Sequence, residues 1–169
     1  MNDPRLENAT PADAERLLTF LFEHARNPWN YLPEQPLRAH FAGLAEGKVE
    51  ALMARVDGEL AGFVSFQTSR YFARYQPLET RDQPHGYISE AVVHPGHAGK
   101  GLGSLLLNAA VQRLQEQGVD AVFIDRHEEN AASAGMMRKA GFVELDTYPD
   151  PERRPNGSGR TTVCVYRLA

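Results

Sequence analysis

One stretch, Val92-Val93-His94-Pro95-Gly96-His97-Ala98-Gly99-Lys100-Gly101-Leu102-Gly103-Ser104-Leu105-Leu106-Leu107, constrains the fold more than any other part of the chain. A β-branched apolar pair runs into a Pro/Gly turn, three alternating glycines follow, and an apolar stripe at helical spacing begins directly after them. The pattern predicts strand, loop and helix in that order. The three glycines remove side chains where a ligand would touch backbone, and the helix after them offers unpaired N–H groups and the positive end of its dipole. That construction suits a phosphate or pyrophosphate. Two familiar phosphate loops are excluded by spacing. A P-loop places Ser or Thr directly after its lysine, whereas Gly101 follows Lys100. A dinucleotide fingerprint needs a third glycine where Leu106 stands.

With 169 residues, 42% of them hydrophobic, residues 1–169 are expected to form one domain with a full core. A net charge of −4 and no basic run longer than Arg153-Arg154 argue against a nucleic-acid partner. Cys164 is the only cysteine, which rules out an intrachain disulfide and, in the alternating run Val163-Cys164-Val165-Tyr166, reads as a packing residue. The start, Met1-Asn2-Asp3-Pro4, lacks a basic leader region, and the apolar run Leu17 to Phe22 is interrupted by Thr19 and too short to span a bilayer. A cytoplasmic protein without a membrane partner is the expectation.

Along the chain, a short strand around Leu6 to Ala9 is expected. A helix opened by Thr10-Pro11 should then run to about His24, and a second from Gln35 to Glu46. Strands Glu50 to Val56 and Glu59 to Thr68 flank Asp57-Gly58, a strong hairpin signal. The aromatic-rich connection from Ser69 to Gly86 is expected to line a substrate site. Tyr87 to Val93 is the strand entering the glycine loop. Gly101 to Gln117 is the helix leaving it, with Leu102, Leu105, Leu106, Ala109 and Leu114 on its core face. A strand from Val119 to Asp125, a helix from Asn130 to Lys139, a strand from Val143 to Asp146, a loop from Thr147 to Arg160 and a last strand from Thr161 to Tyr166 complete the reading. The helix between strands Tyr87–Val93 and Val119–Asp125 predicts a crossover that sets them parallel.

The glycine stretch, V-x-P-x-x-x-G-x-G-x-G-x-x-L-L, resembles motif A of the GCN5-related N-acetyltransferase superfamily, in which loop amides hold the pyrophosphate of acetyl-CoA. A second stretch, Asn130-Ala131-Ala132-Ser133-Ala134-Gly135-Met136-Met137-Arg138-Lys139-Ala140-Gly141-Phe142, resembles the family pattern N-x-x-A-x-x-x-Y-x-x-x-G-F. Ala98 stands where the family usually has Arg or Gln. Met137 stands where it commonly has a tyrosine that protonates the departing thiolate. The resemblance implies a mixed α/β fold of order βααβββαβαββ with splayed central parallel strands. It also implies acetyl-CoA as co-substrate, held by Ala91, Val92, Val93, Ala98, Gly99, Lys100, Gly101, Leu102, Gly103, Ser104, Asn130, Ser133 and Met137. The acceptor it implies is an amine, on a small molecule or a polypeptide. No metal is called for, and a homodimer is an allowed assembly.

Acetyl transfer needs a neutral amine, a polarised thioester carbonyl and an exit for the thiolate. Backbone N–H groups of Ala91 or Val92 are the expected donors to the carbonyl. Asp125 aligns with an acidic position that serves as base in ribosomal-protein N-terminal acetyltransferases of the family, and Glu90 is its rival in the first central strand. His94 in His94-Pro95-Gly96-His97 reads as a turn residue, His85 lies at a strand end nearby, and His127 is a lesser candidate for proton relay. Trp29, Tyr31, Tyr71, Phe72 and Tyr75 are candidates for an aromatic wall around an ammonium group. Arg153-Arg154 and Glu128-Glu129 read as solvated faces. A CoA-binding domain without turnover is the competing reading. An open, acid-lined cleft at the thioester position favours the enzyme.

Overall fold

The computed structural model describes residues 3–168. Seven strands and four α-helices follow the order β1 (Arg5–Asn8), α1 (Ala14–His24), α2 (Glu34–Ala42), β2 (Glu50–Val56), β3 (Glu59–Ser69), β4 (His85–Val93), α3 (Leu102–Glu116), β5 (Ala121–His127), α4 (Ala131–Lys139), β6 (Val143–Pro149) and β7 (Arg160–Arg167). This is the βααβββαβαββ order. The strands lie in one sheet in the sequence β1-β2-β3-β4-β5-β7-β6. All neighbours are antiparallel except β4 and β5, whose connection through α3 makes them parallel. Among the described residues, no helix is long and apolar enough to cross a membrane.

The β4–β5 pair is joined at only two positions, Gly86 with Val122 and Tyr87 with Phe123. Each strand keeps its outer partner: β4 stays on β3 as far as Gly62↔Val93, and β5 stays on β7 along its whole length. The sheet therefore opens into a V toward the carboxyl ends of its two central strands. Above one face, α1 and α2 bury Leu17, Leu21, Phe41 and Phe63. Against the other, α3 buries Leu102, Leu106, Leu107, Ala110, Val111 and Leu114, each large side chain worth roughly 1.5–3 kcal/mol of transfer free energy. Leu105, expected in that stripe, is 42% exposed. The buried face centres on Leu106, Ala110 and Leu114, and at about 100° per residue Leu105 falls on its far side.

A β-bulge sets the phase of β4. Ser65 faces Glu90 but Phe66 faces Ile88, so Ser89 is an extra residue. Without it Ile88 and Glu90 would share a face. With it Ile88 enters the α3 core while Glu90 lies on the same face as Val92, toward α1 and α2. The connection between β3 and β4 does not line the opening of the V: Phe72 is wholly buried against Phe123 and Val163, and fully buried His85 packs on Phe72 and Phe123. Burial lowers the His85 pKa to about 4, making it a neutral core residue.

Candidate active site

The glycine loop enters α3 with Gly99 at φ +77° and Gly101 at φ +81°, the left-handed region that a β-branched residue cannot adopt without strain. The first amide to close a helical bond is that of Leu105, onto the Gly101 carbonyl at 3.0 Å. The N–H groups of Leu102, Gly103 and Ser104 thus start the helix without an intrahelical acceptor, as helix geometry requires. Lys139, from the last turn of α4, brings its ammonium within 3.1 Å of where a Cβ on Gly101 would lie. Neither it nor Lys100 forms an ion pair among the described residues. Free amides, a dipole end and two unneutralised ammonium groups fit a pyrophosphate. Lys139 had no signal in the sequence, since its approach depends on how α4 packs on α3.

Gly103 has a different task. Its φ is helical, and a Cβ there would sit 2.5 Å from Met136 Sδ and 3.7 Å from Val93. The missing side chain lets α4 close on α3. Ser104 sends its hydroxyl to the Met136 carbonyl at 3.3 Å, tying the same two helices. Gly103→Ala is expected to push the flexible Met136 side chain toward the cleft, a shift that the gain of about 0.5–1 kcal/mol from Ala in a helix offsets, measurable as a denaturation midpoint close to that of the natural protein.

The opening between β4 and β5 encloses about 110 Å³. Its walls carry Ser89, Glu90, Ala91 and Val92 from β4, Ile124, Asp125 and Arg126 from β5, and Ser133, Met136 and Met137 from α4. Leu21, Ala25, Asn30, Tyr31 and Leu32 close one end, with Arg153 and Arg154 beside them. Asn130 caps α4 by accepting from the Ser133 amide at 3.2 Å. Along β4, the His94 amide donates to the Ala61 carbonyl at 2.8 Å, on the β3 side. Alternation along an antiparallel ladder then turns the Val92 N–H to β3 as well and leaves those of Ala91 and Val93 facing the opening. The Ser89 hydroxyl is buried there without a partner.

Glu90 and Asp125 face each other in contrasting states. The Asp125 side chain is 4% exposed and both its oxygens are engaged: the Tyr87 hydroxyl donates to Oδ1 at 3.0 Å and Arg153 Nη1 to Oδ2 at 2.8 Å. Glu90 has no hydrogen-bond or ion-pair partner among the described residues. Burial, reinforced by the Asp125 charge and opposed by Arg153 and Arg154, raises its pKa to about 8. Burial works against the Arg153 charge, but Asp125 outweighs it and the pKa goes up; Arg154 goes down, chiefly through burial. Far from being solvated, Arg153 and Arg154 line this cleft, beside Arg126, which is paired with Glu144.

The remaining candidates are accounted for by packing. His127 accepts from the Glu129 amide at Nδ1 and meets the Asn156 carbonyl at Nε2, so neither ring nitrogen is open to a substrate. Trp29 stacks on His127, Tyr75 bonds to Asp146, and of the five aromatics only Tyr31 lines the cleft. His94 Nδ1 accepts from the Gly96 amide, a turn contact. Cys164 is buried in the core.

The model of the acetyltransferase (GNAT) family matches residues 14–142. The chain belongs to the GNAT family. Among its relatives is a mycothiol acetyltransferase of Streptomyces coelicolor, 34% identical over an alignment of 169 positions that covers 94% of this chain and 50% of the relative. The chain spans 28% to 50% of the length of the first curated relatives it matches. A ribosomal-protein-alanine N-acetyltransferase from Brucella melitensis shares the fold at TM-score 0.74 and 22% identity, covering 97% of this chain and 99% of that one. So does an acetyltransferase-type structure from Salmonella typhimurium with its cofactor acetyl-CoA, at TM-score 0.73 and 19% identity, covering 99% and 95%.

Proposed function

We propose that the protein is an acetyl-CoA-dependent N-acetyltransferase acting on a primary amine by direct attack in a ternary complex, in the cytoplasm. The observation that carries this reading is the unpaired Glu90 carboxyl in the cleft at the open ends of β4 and β5. A domain that only bound CoA would have no use for a half-buried carboxyl left unpaired in this cleft. When bound, acetyl-CoA supplies an activated acetyl thioester. The residues suited to hold it are the amides of Leu102, Gly103 and Ser104 with Lys100 and Lys139 for the pyrophosphate, and Met136, Met137 and Ser133 along the arm.

Glu90 is the base in this reading. An ammonium acceptor must lose a proton before its nitrogen can attack, and a base is most effective when its pKa lies near the working pH. Asp125 has both oxygens committed to donors and acts instead as the anchor of Arg153. The Ala91 and Val93 N–H groups are the donors placed to take up charge on the acyl oxygen. A screen of amines for release of free CoA thiol tests the reading; no release with any amine, despite tight acetyl-CoA binding, would sink it.

Met137 needs no tyrosine in its place. A thiol of pKa about 8.5 leaves as thiolate without full protonation. Met137→Tyr is therefore expected to change kcat by less than about tenfold, or roughly 1.4 kcal/mol of barrier, in steady-state assays.

A further inference from the structure

Arg153 and Arg154 hold donors in the cleft that the protein does not use. Every polar contact of the Arg153 guanidinium runs through Nη1, to Asp125 at 2.8 Å and to Asp150 at 3.4 Å. Its Nε and Nη2 have no acceptor among the described residues. Arg154, with a side chain only 7% exposed, donates from Nε to the Thr161 hydroxyl at 2.8 Å and has Nη2 3.9 Å from Asp125. Its Nη1 and Nη2 make no hydrogen bond among the described residues. Both side chains line the same cleft as Glu90. These donors are not sealed in the core: Arg153 is 31% exposed and the free edges open into the cleft, where an anion can replace the water that meets them.

We propose that the acceptor carries a carboxylate next to its amine: the free edges of Arg153 and Arg154 take the carboxylate, and the amine faces Glu90. This rests on the N-acetyltransferase reading and names the substrate class within it, a small amino carboxylic acid. Planar guanidinium forks match a carboxylate with two parallel hydrogen bonds. Charge points the same way. Arg153 and Arg154 are already balanced by Asp125 and Asp150, so a zwitterion leaves the cleft neutral. A plain ammonium has no carboxylate to meet the free guanidinium donors. Leu21, Ala25 and Leu32 at the closed end give the side chain of the acid an apolar wall. In the transfer, Glu90 takes the ammonium proton, the freed amine nitrogen forms the new bond to the acetyl carbon as the carbon–sulfur bond breaks, the sulfur leaves with its electron pair, and the second nitrogen proton passes to that sulfur or to water.

Three acceptors sharing one side chain decide the matter: leucine, leucinamide and 3-methylbutylamine, assayed by CoA thiol release and compared per unit of free amine. The expected result is a kcat/KM for leucine about 10- to 100-fold above the other two, the range of a hydrogen bond to a charged group. Arg154→Gln and Arg154→Lys should shrink that ratio toward one, mainly through the KM for leucine, with acetyl-CoA affinity by calorimetry showing that the variants are folded. If leucinamide or 3-methylbutylamine is acetylated as well as leucine, the carboxylate site is overturned while the acetyltransferase reading stands. A preference for leucinamide would point to a polypeptide terminus. Should none of the three release CoA, titration of leucine and leucinamide into the protein with CoA present still decides, since equal binding or none overturns the inference.

Discussion

Glu90→Gln is expected to lower kcat/KM by about 10²–10⁴-fold, the usual loss on removing a general base, and to flatten its pH dependence. With Glu90 present, activity should rise with pH through about 8, where the carboxyl deprotonates. With Gln it should follow only the free-amine fraction of the acceptor. Stability provides a second readout of opposite sign. The folded-state value of about 8 lies above the ordinary 4.5, so the folded protein binds more protons than the unfolded chain between the two. Glu90 thus favours the fold below about pH 4.5, and that contribution is lost as pH rises through 8. Glu90→Gln should raise the denaturation midpoint relative to the natural protein increasingly across this window. Asp125→Asn should behave differently: it leaves Arg153 with a weakened partner in a partly buried site, lowering the midpoint at every pH near neutrality, while the rise of activity with pH survives but moves to lower pH, since the Asp125 charge no longer helps to hold the Glu90 carboxyl protonated. If Asp125→Asn removed the pH dependence and Glu90→Gln did not, the two roles would be exchanged.

Gly101→Val should weaken acetyl-CoA on the order of a hundredfold, about 2.8 kcal/mol at 1.4 kcal/mol per decade. Two causes add. At φ +81° a β-branched residue is strained, and its Cβ would meet the Lys139 ammonium at 3.1 Å, displacing a cation from the phosphate loop. Gly118→Val is the control, because Gly118 has φ +91° and open space around it at the far end of α3. It should cost stability through the same strain and leave the dissociation constant measured by calorimetry unchanged. Equal affinity in Gly101→Val and the natural protein would remove the loop from the binding site.

Local signals in the chain were enough for the element order and the glycine loop. Glycines at special dihedrals, the Thr10-Pro11 helix start, the Asp57-Gly58 hairpin and period-2 alternation each act within a few residues, where a sequence can be read directly. The site was only half legible. Glu90 and Asp125 stood out as acids on central strands, but which of them is free depends on Arg153, which arrives from a loop 28 residues beyond Asp125. That loop looked solvated because it is rich in Pro, Gly and charge. What buries it is a tertiary latch: Asn156 bonds to the Pro28 carbonyl and to His127, and Trp29 stacks on His127. The bulge at Ser89 was equally silent, since one added residue in a strand leaves no mark on composition.

The opening of the sheet divides the chain at about residue 118 into two contiguous sequences, β1 to α3 on one side and β5 to β7 on the other. Only two residue pairs join the halves through the sheet, and the rest of the seam is side-chain contact: α4 on α3, Phe72 on Phe123, Tyr87 on Asp125 and Asn156 on Pro28. Whatever fills the V touches both, so it acts as a clamp across the gap in the sheet's hydrogen bonding. Ligand that binds only the joined state stabilises it by mass action, with about 2.7 kcal/mol gained at a concentration a hundred times the dissociation constant. The gap thus makes part of the cohesion between the two halves depend on what occupies it.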